Sequence, residues 1–235
     1  LAAVHQCLYL MFNEGYAASH GDSHIRAELC EEAARLCHLL VSNRATHSTS
    51  GEALLALMLL HAARLDARTD AQGRLLLLEN QDRSRWNAKL IAEGKRRLDL
   101  SAQGKVISPY HLEAGIAWTH CEAPSVAETN WPRIVMLYNM LIAMQDSPIY
   151  RLNRAIAIGQ IEGPKAALEA LLPLRKEPSL KNYHLIDAAI GEMERRCGDY
   201  QAAAKSFRRA LTACRAIRER EFLLARLKEC EEAAC

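Results

Sequence analysis

Three groups of residues in this chain have types and spacings that invite a chemical reading. His20 and His24 stand four apart, the separation at which two imidazoles on one helical turn can share a zinc ion. Gly21-Asp22 between them favours a loop, and no third ligand accompanies them. His120-Cys121-Glu122 sets a nucleophile beside a base. Neighbouring residues of a helix point about 100° apart, so a core thiol next to a surface histidine is the preferred reading. The third group is a pair of polar runs, Leu10-Met11-Phe12-Asn13-Glu14-Gly15-Tyr16 and Glu79-Asn80-Gln81-Asp82-Arg83-Ser84-Arg85-Trp86. Each interrupts an apolar face, and such charge is costly to bury unless its members pair. Two readings stay open. In one, Asp82 caps its helix, Arg83 or Arg85 bridges to Glu14, and Trp86 enters the core. In the other, Asn13, Glu14, Tyr16, Asp82, Arg83, Arg85 and Trp86 form a docking surface.

No P-loop, G-x-G-x-x-G, H-E-x-x-H or G-x-S-x-G occurs. An enzyme acting through Glu14, Asp82 or His61 finds no nucleophile–base pair or metal set. The expectation is a non-enzyme without metal or cofactor.

The elements that would carry these residues are helices. The apolar residues lean to Ala and Leu, side chains that lose little rotamer freedom in a helix. Val4, Leu8, Met11 and Phe12 predict a helix to about Ala17; Ile25, Leu29, Ala33, Leu36 and Leu40 predict a second, ending near Asn43. Thr49-Ser50-Gly51-Glu52 has capping-box spacing, with Thr49 capping and Glu52 reaching back. The helix from Gly51 to about Arg68 carries leucine on nearly every side, so it should be the buried centre of the first half. Thr69 to Arg74 is a break, and Leu75 to Leu78 reads equally as extended chain or helix edge. A fourth helix spans about Ser84 to Leu100, with Trp86, Leu90, Ile91 and Leu98 inward. Ser101 to Lys105 is the best linker.

Beyond it, Ser108-Pro109, Asn130-Trp131-Pro132, Ser147-Pro148 and Gly163-Pro164 mark helix starts. Ala155, Ala167 and Leu171 have counterparts 36 residues later at Gly191, Ala203 and Phe207, and Tyr110-His111-Leu112 recurs as Tyr183-His184-Leu185. Gly191, Ala203, Phe207 and Ala210 match the small–small–aromatic–small positions of the tetratricopeptide pattern. A less regular pair, Tyr110 to Glu122 and Trp131 to Ala143, precedes them. A last helix, about Ala216 to Ala233 with Leu223, Leu227 and Cys230 inward, would cap the array. The expected fold is all-α: a helical subdomain over 1–103, then an α-α superhelix of antiparallel tetratricopeptide-like pairs over 104–235.

With 30 basic and 28 acidic residues the net charge is +2, which gives no strong pull toward nucleic acid or anionic membranes. The basic excess over Arg83 to Arg97 and over Lys205 to Lys228 reads as solvated helix faces. Of the eight cysteines, Cys30 and Cys37 occupy core-like positions; Cys7, Cys197 and Cys214 have similar helical settings, and Cys235 should be exposed. No C-x-x-C occurs, so reduced cytoplasmic thiols are expected. No signal peptide is visible, and the longest apolar run, Ala53 to Leu60, is too short for a bilayer. The start at Leu1, without a Met, suggests part of a longer protein.

The two polar runs also carry a resemblance. Tyr9 to Tyr16 with Ala18-Ser19, and Leu77 to Trp86, resemble signature segments of bacterial extracytoplasmic-function RNA polymerase sigma factors that have a long tetratricopeptide-like C-terminal extension. Ala53 to His61, Leu90 to Gly94, Leu152 to Ala155 and Glu219 to Leu223 are similar as well, so the likeness covers essentially the whole chain. Asn80 and Glu221 depart from it, standing where an acidic residue and an arginine are expected. The chain resembles the extension alone, with no polymerase-binding or promoter-reading helices. The resemblance implies a regulatory interaction region that contacts the sigma core, and through it RNA polymerase, or an unidentified regulatory protein. A free-standing peptide-binding scaffold, with Asn139, Asn153 and Arg154 lining a groove, is the alternative.

Overall fold

A computed structural model describes residues 1–17 and 25–234. The described residues form eleven α-helices. The expected pair His20 and His24, the segment Ala18-Ser19 and Cys235 lie outside them. The chain divides into two compact units, Leu1–Asn130 and Trp131–Cys235. That division falls later than the expected limit at 103/104. The helix from Pro109 belongs with the first unit because Ala114 and Ala117 pack on Ala56, Leu57 and Leu60.

The first unit contains α1 (Ala2–Tyr16), α2 (Ala27–Ser42), α3 (Thr49–Ala62), α4 (Ala88–Ser101) and α5 (Pro109–Glu122). Helix α3 is its axis, buried without interruption from Gly51 to Met58 and again at Leu60. One side meets Leu8, Phe12, Cys30, Ala33, Cys37 and Val41 from α1 and α2; the other meets α5. Each fully buried leucine contributes roughly 1.5–3 kcal/mol, which is why a helix apolar all round lies at the centre. Gly94 of α4 lets that helix come close, since a Cβ there would stand 2.8 Å from Leu60 Cγ.

The start of α3 corrects the expected capping box. Ser48, not Thr49, is the cap, accepting from the Gly51 amide at 3.1 Å. Glu52 is thereby freed to point into the unit, where it meets Arg97. The helix ends at Ala62, short of Arg68, and a 3₁₀ turn follows at Leu65–Ala67. Leu75 pairs with Thr69 in an isolated antiparallel bridge, and Leu78–Asn80 is a second 3₁₀ turn. Segment 75–78 is thus extended at its start and turns at its end.

The second unit contains α6 (Trp131–Met144), α7 (Pro148–Ile161), α8 (Pro164–Leu171), α9 (His184–Arg196), α10 (Tyr200–Ala213) and α11 (Ile217–Ala233), with each helix packed on the next. Short connections make α6–α7, α7–α8, α9–α10 and α10–α11 antiparallel neighbours, whereas two 3₁₀ turns, Leu172–Lys176 and Pro178–Leu180, separate α8 from α9. Ala155, Ala167 and Leu171 are buried, as are Gly191, Ala203, Phe207 and Ala210 at the repeated positions. Pro173, which lacks an amide proton, carries the end of α8 into the 3₁₀ turn Leu172–Lys176. Gly198 (φ 82°) turns the chain between α9 and α10 in a conformation that other residues rarely adopt. In α11, Leu223 and Cys230 are buried and Leu227 packs on the same cluster.

The seven described cysteines carry free thiols. Cys7 is exposed, against the expectation of a buried position, because it lies on the outer face of α1, off the Leu8–Phe12 stripe. No helix among the described residues is long and apolar enough to cross a membrane.

Candidate functional site

Both polar runs converge on the stretch from His61 to Thr69 that ends α3 and follows it, within the first unit. Tyr16, the last residue of α1, stacks on Phe12 at 6.0 Å and packs obliquely on the His61 ring at 5.0 Å. The Arg68 guanidinium lies over the Tyr16 ring at 3.8 Å and donates to the Tyr16 main-chain carbonyl. From the second run, Trp86 is buried between two guanidinium groups, Arg83 at 4.6 Å and Arg64 at 5.1 Å. Arg64 Nε, Arg83 Nη2 and Trp86 Nε1 are buried with no hydrogen-bond partner among the described residues. Ring contact therefore provides much of the compensation for these desolvated cations.

Carbonyls are the other compensation. Arg83 Nη1 donates to the carbonyls of His120 (2.5 Å) and Ala123 (2.6 Å), capping the end of α5. Arg85 donates to the carbonyls of Asp66 and Thr69. Arg64 donates to Gln81 Oε1 at 3.3 Å, and Gln81 in turn donates to the Leu76 carbonyl. The last carbonyls of a helix have no partner within it and carry its negative dipole end, so a guanidinium there gains hydrogen bonds and Coulomb energy together. Asp82 caps the 3₁₀ turn Arg83–Arg85, accepting from the Ser84 amide and hydroxyl; these bonds hold its carboxyl below the usual range.

The docking candidates thus separate. Asn13, Asp82 and Arg85 are exposed, Glu14, Tyr16 and Arg83 are half-buried, and Trp86 is buried. Glu14 faces Arg26 at 3.9 Å, which corrects the expected bridge from Arg83 or Arg85. Trp86 lies in the core, as the internal-network reading expects, whereas Asp82 caps only the 3₁₀ turn Arg83–Arg85; α4 begins at Ala88, later than the expected Ser84, and its cap is Asn87. An open groove beside Arg85 is lined by Ile25, Ala27, Leu65, Asp66 and Thr69.

Two histidines far apart in the sequence share this environment. His61 and His120 are each pushed down to about 3, by desolvation first and then by the positive charge of Arg64, with Arg68 adding for His61 and Arg83 for His120. Both imidazoles are neutral at physiological pH. His120 is not the surface residue expected. Its neighbour Cys121 donates to the Leu60 carbonyl at 3.7 Å, and burial pushes its thiol up to about 11.

Residues 1–102 match a family of unknown function (DUF6596). Over 212 residues, 90% of its length, the chain is 39% identical to the uncharacterized protein R00370 of Rhizobium meliloti (strain 1021). The match takes in 49% of that relative, so the chain spans about half the length of the protein it resembles. No solved structure matches the chain.

Proposed function

We propose that this chain is a regulatory protein-interaction region of an extracytoplasmic-function sigma factor, modulating sigma activity in transcription initiation in the cytoplasm. It acts by docking, on the sigma core and through it on RNA polymerase, or on a regulatory protein, without chemistry of its own. One observation carries the reading: the two segments that resemble the sigma-factor extensions are anchored to the same short stretch, Tyr16 through His61 and Arg68, and residues 83–86 through Arg64, Asp66 and Thr69. The shared anchor supports a single presented surface in which Asn13, Asp82 and Arg85 are the residues open to a partner. Binding of the purified chain to an isolated sigma core tests this. Asp82→Ala and Arg85→Ala should weaken it with helicity unchanged, and absence of binding at high micromolar concentration overturns it.

The second reading is a peptide-binding scaffold unrelated to transcription. It is favoured by Met136, Met140 and Met144, exposed at successive turns of α6 together with Asn139. Capture of short peptides by the chain, lost on Met140→Glu, would select it.

A further inference from the structure

In the second unit, three helices each bring one metal-type donor to a single point. His184 opens α9, Cys214 terminates α10, and Glu219 lies in the first turn of α11. His184 Nε2 is 2.8 Å from Glu219 Oε2, Cys214 Sγ is 3.9 Å from the same oxygen, and all three donor atoms lie within 4.8 Å of one another. Cys214 is buried, and His184 and Glu219 expose only 16% and 19% of their side chains. Tetrahedral zinc, with bonds of about 2.0–2.3 Å to such ligands, needs donors roughly 3–4 Å apart. The present spacing requires small side-chain adjustments and no movement of a helix.

We infer that His184, Cys214 and Glu219 form a binding site for a divalent ion of the zinc class, with water in the fourth position. Thiolate, imidazole and carboxylate together suit a borderline-soft ion and are a poor set for magnesium or calcium, which favour oxygen. The supporting backbone is fixed. Arg220, adjacent to Glu219, donates to the carbonyls of Leu211 (2.7 Å) and Cys214 (3.1 Å), holding the turn that carries the cysteine. Contacts of this kind set ligand orientation. On binding, Cys214 loses its thiol proton to solvent as the metal–sulfur bond forms, Glu219 exchanges its contact with His184 for the ion, and the imidazole of His184 moves its proton from Nε2 to Nδ1 so that the Nε2 lone pair coordinates. One proton is released per ion. Burial and the Glu219 charge raise the thiol above its ordinary value, so ionisation there is costly until a cation arrives. The ion would fasten the beginnings of α9 and α11 to the end of α10.

Cobalt(II) titration of the full chain tests the site. A near-ultraviolet thiolate-to-cobalt band should appear with one-to-one stoichiometry, disappear on adding zinc, and accompany release of one proton. Cys214→Ser should abolish the band, while Cys197→Ser and Cys230→Ser leave it intact. Glu219→Gln, which keeps the shape of the side chain, should weaken cobalt binding by about tenfold or more and remove the rise in Tm that zinc gives the parent chain. No thiolate band in the parent chain, or one that survives Cys214→Ser, overturns the assignment.

Discussion

Arg97 Nη1 and Glu52 Oε2 meet at 3.1 Å with 9% and 3% of their side chains exposed, an ion pair between α3 and α4 in the interior of the first unit. Arg97 is completed by Glu93 at 2.7 Å and His38 at 3.2 Å, and His47 lies 3.3 Å from Glu52. Removing one member of a buried pair strands the other without its counter-charge. Glu52→Gln should cost about 3 kcal/mol, the lower part of the range for such pairs, because Glu93 still serves Arg97. Replacing both, Glu52→Leu with Arg97→Met, should recover most of that loss. Urea unfolding of the two variants checks the contrast, and equal losses in both would contradict it.

The double-carbonyl contact of Arg83 makes a different prediction. A single nitrogen serves His120 and Ala123, and the planar group also lies on Trp86. Lysine keeps the charge but loses the flat face, so Arg83→Lys should recover less than half of the roughly 2 kcal/mol lost in Arg83→Ala. Hydrogen exchange along α5 should rise most at its C-terminal turn in both. Full rescue by lysine would reduce the contact to simple charge.

How far the sequence shows this arrangement depends on the kind of signal. Helix α3 is legible because leucine on every side leaves only a central position for it. The repeated small residues of α7 to α10 are legible for a similar reason: Gly191 admits the Phe207 ring, and size alone reveals that. Glu52 is misread because Ser48 and Thr49 are both good caps, and moving the cap by one residue takes Glu52 from the helix entrance to the interior. The roles of Arg68, Arg83, Arg85 and Arg220 are hidden for a deeper reason. Each donates to main-chain carbonyls, which every residue has, so no pattern of residue types advertises these contacts. His184, Cys214 and Glu219 escape likewise, since their approach depends on how α9 to α11 pack and not on a short ligand spacing.

The neutral histidines beside Arg64 predict acid sensitivity. His61 and His120 titrate near their ordinary value in the unfolded chain and only at about 3 when folded. The unfolded state therefore binds more protons below about pH 6.5, and stability falls as pH drops from there toward 3. The contribution is complete above that window. At about pH 5 each histidine should have withdrawn roughly 2 kcal/mol at most, with partial solvent access lowering the figure. Denaturant unfolding at neutral and mildly acidic pH measures the slope. His61→Gln with His120→Gln should flatten it, and an unchanged slope would assign the acid response to other groups.

Gly191 offers the sharpest test of how the second unit packs. A Cβ added there would lie 3.0, 3.1 and 3.2 Å from three atoms of the Phe207 ring, tighter than an ordinary van der Waals contact. Two effects oppose each other in Gly191→Ala. Helix propensity favours alanine by about 1 kcal/mol, whereas crowding a filled core costs about 1–3 kcal/mol. Phe207 is 1% exposed and enclosed by Ala203, Ala204, Ala210 and Leu223 of its cluster, so the ring cannot swing outward to relieve the contact. Crowding should win, and Gly191→Ala should destabilise by about 1 kcal/mol. The decisive comparison is the double variant with Phe207→Leu. The smaller side chain removes the collision, so adding Gly191→Ala to Phe207→Leu should raise the denaturation midpoint instead of lowering it. A loss of the same size in both backgrounds would mean that Phe207 is not what requires glycine at this position.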